Sequence, residues 1–264
     1  MEYKAGGYLK IERHGSTLLI EFFHPQGNSL PNMLIYDLAR EIHGAGMEDE
    51  INVIILRSAG DGAFCAGASF TELFEIKNIQ QGEDFFTGFA HLINSMRKCP
   101  KFIVARIQGK CVGGGVGIAA AADYAIALSG ADIKLSELEI GIGPFVVGPA
   151  IERKIGFSAF SQLVIDAASW RSADWAKSRG LFSEVHTSIQ NLDDSLQRLV
   201  KHLSHSNPEA IREIKKIFWE GTEHWDKLLI ERAKISGKLV ITPHAKNAIS
   251  KLQPRAADYL QGEI

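Results

Sequence analysis

"KFIVARIQGKCVGGGVGIAAAADYAIAL", residues 101–128, decides how this chain folds. It opens on an apolar, β-branched run of the kind found in strands covered on both faces. A glycine knot follows, with Gly113, Gly114 and Gly115 consecutive and Gly117 close behind. Alanines then take over, and alanine is the best helix former. YAIAL at 124–128 returns to strand character. Strand, glycine turn, helix and strand in this order argue for an α/β sheet.

Working outward, INVIILRS (51–58) is a second buried strand, and AGDGAFCAGAS (59–69) is a second glycine-rich loop behind it. Upstream, YLKIER (8–13) and STLLIEFF (16–23) alternate apolar and polar residues, with a hairpin turn at His14–Gly15. PQGNSLPN (25–32) is loop chemistry, with Ser29 or Asn32 placed to start a helix carrying Leu34, Leu38 and Ile42 on one face. A helix within 70–97 carries Phe86, Phe89, Ile93 and Met96 at helical spacing. IKLSELEIG (133–141) reads as a short strand and a turn, and on a strand Glu137 and Glu139 would share a face. From about residue 149 the pattern is helical to the end, with Asn207–Pro208 a cap and first-position pair.

Composition removes several function classes. The chain has 264 residues, 45% hydrophobic and 23% charged, with a net charge of −2. That balance offers no footprint for nucleic acid and no membrane-surface face. Cys65, Cys99 and Cys111 do not make a disulfide framework and suit a reducing compartment. No metal-ligand spacing such as C-x-x-C or H-E-x-x-H occurs, so no metal is expected. MEYKAGGYLKIERHG lacks the apolar core of a secretory signal. No apolar run reaches the roughly 18–20 residues of a spanning helix. The expectation is a cytoplasmic enzyme or binding protein.

Both glycine loops sit at the carboxyl end of a buried strand, where ligand sites form in open α/β sheets. Glycine lets backbone N–H groups approach a ligand, and a helix N-terminus adds orphan donors and partial positive charge. One N–H from each loop, aimed at a shared oxygen, makes an oxyanion hole. Close packing is the plainer role for the same glycines. A phosphate cradle does not fit, because Ile118 stands where G-x-G-x-x-G needs its last glycine. Cys65, flanked by Phe64 and Ala66, reads as a buried, inert thiol.

"GAFCAGAS", "GKCVGGGVGIAAAADYAIA" and "LSELEIGIGPF", in this order and spacing, resemble the enoyl-CoA hydratase/isomerase (crotonase) superfamily. The resemblance covers nearly the whole chain, with GNSL similar to the family's N-A-L. It implies a repeated ββα core over 1–195 and a C-terminal helical trimerisation region over 196–264. It implies a homotrimer or a dimer of trimers. It also implies an acyl-CoA thioester substrate, so that coenzyme A enters as substrate and no separate cofactor is needed. By the same resemblance, the backbone N–H groups of Ala68 and Gly114 hold the thioester oxygen. Ala66, Phe70 and Gly115 belong to the substrate-binding surface. Ser69 stands where the family often has aspartate.

The family's hydratases use two glutamates. The first position falls on Gly117 here, which has no side chain. The second falls on Glu137, four residues before Gly141 and seven before Pro144. Hydration suits two carboxylates, whereas moving a double bond needs one base. Family isomerases keep the second glutamate and often have A-P-F where hydratases have P-G-x-G-G. GPFVVG (143–148) is nearer the isomerase form. The expectation is therefore isomerisation of an enoyl-CoA by Glu137. Hydration with a second acid from Glu72, Glu75 or Glu139 is the alternative, and an inactive acyl-CoA-binding protein is the reading from another class.

Overall fold

The computed structural model describes residues 6–252. An N-terminal hairpin pairs β1 (Tyr8–His14) with β2 (Thr17–Phe23). Next come α1 (Asn32–Gly46), β3 (Val53–Ser58), α2 (Phe70–Glu75), α3 (Ile79–Lys98) and β4 (Phe102–Ile107). After β4, the glycine knot and alanine run form β5 (Cys111–Val112) and α4 (Gly114–Ala121), followed by β6 (Tyr124–Leu128). β7 (Ile133–Lys134) and a 3-10 turn (Ser136–Leu138) follow. The rest is α5 (Gly148–Ile165), α6 (Ala173–Ser178), β8 (Glu184–His186), α7 (Ile189–Ser204), α8 (Pro208–Phe218), α9 (Trp225–Val240) and α10 (Pro243–Leu252).

The main sheet has the order β1-β2-β3-β4-β6-β8, antiparallel at β1–β2 and parallel elsewhere. β5 and β7 form a separate parallel pair. The main sheet is covered on both faces, as its apolar strands imply. Val53, Val104 and Ile126 meet Leu192 and Leu196 of α7 on one side. Ile54, Ile103 and Ala105 join the larger core on the other, with Leu34, Leu38 and Ile42 of α1 and Phe86, Phe89, Ile93 and Met96 of α3. Each large aliphatic or aromatic side chain so buried contributes about 1.5–3 kcal/mol.

Four local expectations change. The helix expected within 70–97 is two helices, because Asn78 starts α3 with its side chain accepting from the Gln81 N–H. Neither Ser29 nor Asn32 caps α1. Pro31 holds the cap position, Ser29 Oγ lies 3.0 Å from His24 Nδ1, and the Asn32 N–H donates to Glu72 Oε2 at 2.6 Å. The first turn of α1 is thus capped from α2, which local sequence does not reveal. The region expected to be helical after residue 149 contains β8, three residues that extend the sheet beside β6. Glu137 and Glu139 do not share a strand face, because the chain leaves β7 and turns through a 3-10 helix. Asn207 does cap α8, accepting from the N–H groups of Glu209 and Ala210.

Asp123, which ends the alanine run, is structural. Its Oδ2 accepts from the Ile103 N–H at 2.7 Å and from Lys215 Nζ at 2.5 Å. Both partners of this ion pair are nearly inaccessible, so it ties α8 to the end of α4. Removing one partner of a buried pair typically costs about 3–5 kcal/mol.

Candidate active site

Three loops meet at the carboxyl ends of β2, β3 and β4, the side where ligands bind in parallel sheets. Asn28 locks the first to the second. It holds φ +56, donates to the carbonyls of Ala59 and Ala63 at 2.9 and 2.8 Å, and accepts from the His24 N–H at 2.9 Å. The Leu30 N–H donates to Gly67 O and the Ser69 N–H to Leu30 O, so the GNSL segment grips the chain on both sides of Ala68. The second and third loops are joined by a parallel backbone β-bridge between Cys65 and Cys111, with the Val112 N–H on Cys65 O at 2.9 Å and both thiols free.

A glycine in the left-handed region stands before each expected donor. Gly67 (φ +83) precedes Ala68, and Gly113 (φ +51) precedes Gly114. Residues with a side chain pay roughly 1–2 kcal/mol to take such a conformation. The reversal frees the next N–H from its own loop. Among the described residues, neither the Ala68 nor the Gly114 N–H has an acceptor. Gly114 opens α4, so its N–H is one of the orphan donors of a helix start. The loops are close: a Cβ on Gly67 would lie 3.5 Å from Gly114 N.

The β5–β7 pairing brings Glu137 to the same place. The Gly113 N–H donates to Lys134 O at 2.9 Å, and three residues later the 3-10 turn aims Glu137 back at Gly113. Part of the residue reaches the surface, yet its Oε2 is buried without a hydrogen-bond partner. Burial pushes its carboxyl up to about 7 from the ordinary 4.5, with its own backbone N–H offsetting a little. A carboxyl poised there can take or give a proton near neutral pH.

Ala66, Ala68, Phe70, Gly114 and Glu137 all line one cleft of about 540 Å³. Gly115 does not. Its α-carbon faces the second loop, where a Cβ would stand 2.6 Å from Cys65 O, so it serves close packing. Glu72, Glu75 and Glu139 are also absent from the lining. Glu72 is committed to capping α1, Glu75 is exposed, and Glu139 pairs with Lys134 at 2.9 Å. Cys65 is fully buried, and burial pushes its thiol up to about 12, which disfavours the thiolate. The walls are otherwise apolar. Glu137, Ser136 and Ser236 are the polar side chains that line the cleft.

Sequence reasoning did not find Val147, Phe89 or Ser236, all of which line the cleft. Val147 bears on Gly117, where a Cβ would stand 2.6 Å from both Cβ and Cγ1 of Val147. The GPFVVG motif held the signal for Val147. Phe89 and Ser236 carried none, because only helix packing brings them in.

The family model described as Enoyl-CoA hydratase/isomerase matches residues 12–251. The chain belongs to the enoyl-CoA hydratase/isomerase family. Among its relatives, the mitochondrial methylglutaconyl-CoA hydratase of Homo sapiens is 30% identical over 200 residues, covering 74% of this chain and 58% of that protein. Carnitinyl-CoA dehydratase of Citrobacter koseri is 27% identical, covering 80% of this chain and 79% of that one. The chain spans 58–63% of the length of the mitochondrial relatives of human and mouse. The crystal structure of enoyl-CoA hydratase from Bacillus halodurans superposes with a TM-score of 0.84 at 24% identity, covering 93% of this chain and 100% of that one. The family's α/β crotonase fold is therefore the fold of this chain. No helix among the described residues is long and apolar enough to cross a membrane.

Proposed function

We propose that this family member shifts the double bond of an enoyl-CoA, with Glu137 as the single acid/base group. The observation that carries the proposal is that Glu137 is the one ionisable side chain lining the cleft among the described residues. The thioester oxygen sits on the N–H groups of Ala68 and Gly114. The Glu137 carboxylate removes a proton from C2 of a 3-enoyl-CoA. The electron pair moves to the thioester oxygen as an enolate, and the two donors hold its charge. The enolate electrons then return through the conjugated chain, and protonated Glu137 delivers the same proton to C4. The double bond ends between C2 and C3, with atoms and charge balanced.

Two departures from the hydratase pattern reduce to one contact. Residue 117 lacks the first glutamate, and residue 147 stands where P-G-x-G-G has its fourth position, a glycine. Here the pair is Gly117 and Val147, and the valine fills the space that a side chain at 117 would enter. The cleft wall at Val147 is thus apolar where a hydratase would orient water. Coenzyme A enters with the substrate, and the proposal includes no other cofactor. It also includes a homotrimer or dimer of trimers, for which exposed Phe157, Ile165 and Ile217 leave apolar surface.

The names of the relatives favour a second reading, hydration of a 2-enoyl-CoA. Assay of purified protein on 3-enoyl-CoA and 2-enoyl-CoA separates the two. Double-bond migration without 3-hydroxyacyl-CoA supports isomerisation, and rapid 3-hydroxyacyl-CoA formation rejects it. Glu137→Gln should abolish either reaction, and unchanged turnover would remove Glu137 from the mechanism. The binding-only reading predicts no proton exchange of a saturated acyl-CoA in deuterated water.

A further inference from the structure

We propose that Ser236 recognises a neutral oxygen, hydroxyl or carbonyl, on the acyl chain well away from the thioester. The substrates would then be acyl-CoA thioesters with an oxygenated chain rather than plain hydrocarbon chains. This rests on the acyl-CoA reading of the cleft and adds the chemical class of the acyl group.

Ser236 lies on α9, is only 1% exposed, and lines the cleft. Its hydroxyl has no hydrogen-bond partner among the described residues. A mid-helix serine commonly bonds the carbonyl one turn back, and this one does not. With the rest of the residue buried, the hydroxyl is left facing the cleft. Ser136, the other hydroxyl of the lining, adjoins Glu137 at the reacting end.

Close helix packing puts Ser236 at the other end. α9 meets α3 where Gly82 and Gly237 leave no room for a side chain: a Cβ on Gly82 would lie 2.7 Å from Gly237 O. The N-terminus of α4 lies against Phe89, whose ring occupies the space a Cβ on Gly114 would need. From residue 82 to residue 89 is two turns, about 10 Å along α3. A chain leaving the oxyanion donors therefore passes Phe89 and Phe86 before it reaches the Ser236 hydroxyl. No cationic side chain lines the cleft among the described residues. A neutral oxygen suits this end, and a carboxylate would be left unpaired.

A serine beside Gly237 would also serve as a small residue for packing alone, and the test separates the two roles. Calorimetric titration of the full chain uses two saturated probes, hexanoyl-CoA and 6-hydroxyhexanoyl-CoA, which no double-bond chemistry can consume. The ratio of their Kd values is the readout. Ser236→Ala is expected to lower the preference for the hydroxylated ester by about 10-fold and leave hexanoyl-CoA binding nearly unchanged. Ser236→Cys, which keeps a similar volume, should give the same shift and covers the case of an alanine variant that does not fold. An unchanged ratio in a folded variant overturns the role of Ser236. Failure of both esters to bind the wild type overturns the acyl-CoA reading itself. Loss of the isomerase assignment alone would leave the ratio intact.

Discussion

Glu137 and Gly113 share one small space: a Cβ on residue 113 would stand 3.0 Å from Glu137 Oε1 and 3.4 Å from its Cδ. The glycine makes room for the proposed base and, at φ +51, leaves the next N–H free for the proposed oxyanion. Gly113→Ala should therefore damage both functions at once. We expect a stability loss of about 1–2 kcal/mol from the left-handed conformation and a kcat loss well beyond what that instability explains. Thermal melts with kinetics on the folded fraction check this, and a variant of full specific activity would contradict the shared role.

The raised carboxyl of Glu137 fixes the sign of two pH effects. As a base it must be ionised, so kcat/KM should rise with pH through about 7 and level off above it. Stability runs the other way. Between the ordinary value of 4.5 and about 7 the folded protein holds a proton that the unfolded chain has released. Stability from this group is full below that window and is lost as pH rises through the folded value. The total is about 3 kcal/mol. Glu137→Gln should remove the dependence, so its stability relative to wild type increases from pH 5 to pH 8. Parallel denaturant curves across that range would count against a buried, neutral Glu137.

Removing a backbone donor usually breaks the backbone, but Gly114 permits it. It is the first residue of α4, where proline keeps helical φ and forfeits only an orphan N–H. Phe89 occupies the space a side chain would need, so the substitution is made with Phe89→Leu. Gly114→Pro/Phe89→Leu should melt near Phe89→Leu alone and lose about 10²–10³ in kcat. Turnover within a few-fold of the Phe89→Leu control would reject Gly114 as an oxyanion donor.

Val147 and Gly117 should be exchangeable only as a pair. Gly117→Glu alone drives its Cβ against Val147, which lies at 2.6 Å, and should destabilise the fold by about 1–3 kcal/mol. Val147→Gly relieves the clash, and glycine is acceptable at the cap position that Val147 holds for α5. The double variant should melt above Gly117→Glu and gain measurable 2-enoyl-CoA hydration. If the double variant is no more stable than the single one, the two residues do not compete for the same space.

Much of the site could be read from the sequence because its parts are short and local. Gly67–Ala68, Gly113–Gly114 and Glu137 each follow a strand with a turn, and the family resemblance singles them out. Gly117 could be read as a missing carboxylate, although not as a position closed by Val147. The cap of α1 is not legible locally, because Glu72 is 40 residues away from the N–H it accepts from. β8 is not legible in the sequence, because three residues carry no usable period. Gly115 looks like its glycine neighbours in sequence, yet its α-carbon turns away from the cleft toward Cys65.

The sequence by itself determined the α/β class and the two glycine loops, since each depends on backbone preference over a few residues, and the family resemblance singled out Glu137. Only the tertiary structure decided which acids face the cleft, what fills the space beside Gly117, and that Ser236 enters from α9. Those depend on helices meeting at contacts too close for a Cβ, as at Gly82–Gly237 and Gly117–Val147. Such contacts are set by how the elements pack, and residues far apart in the chain meet there without any local pattern to announce them.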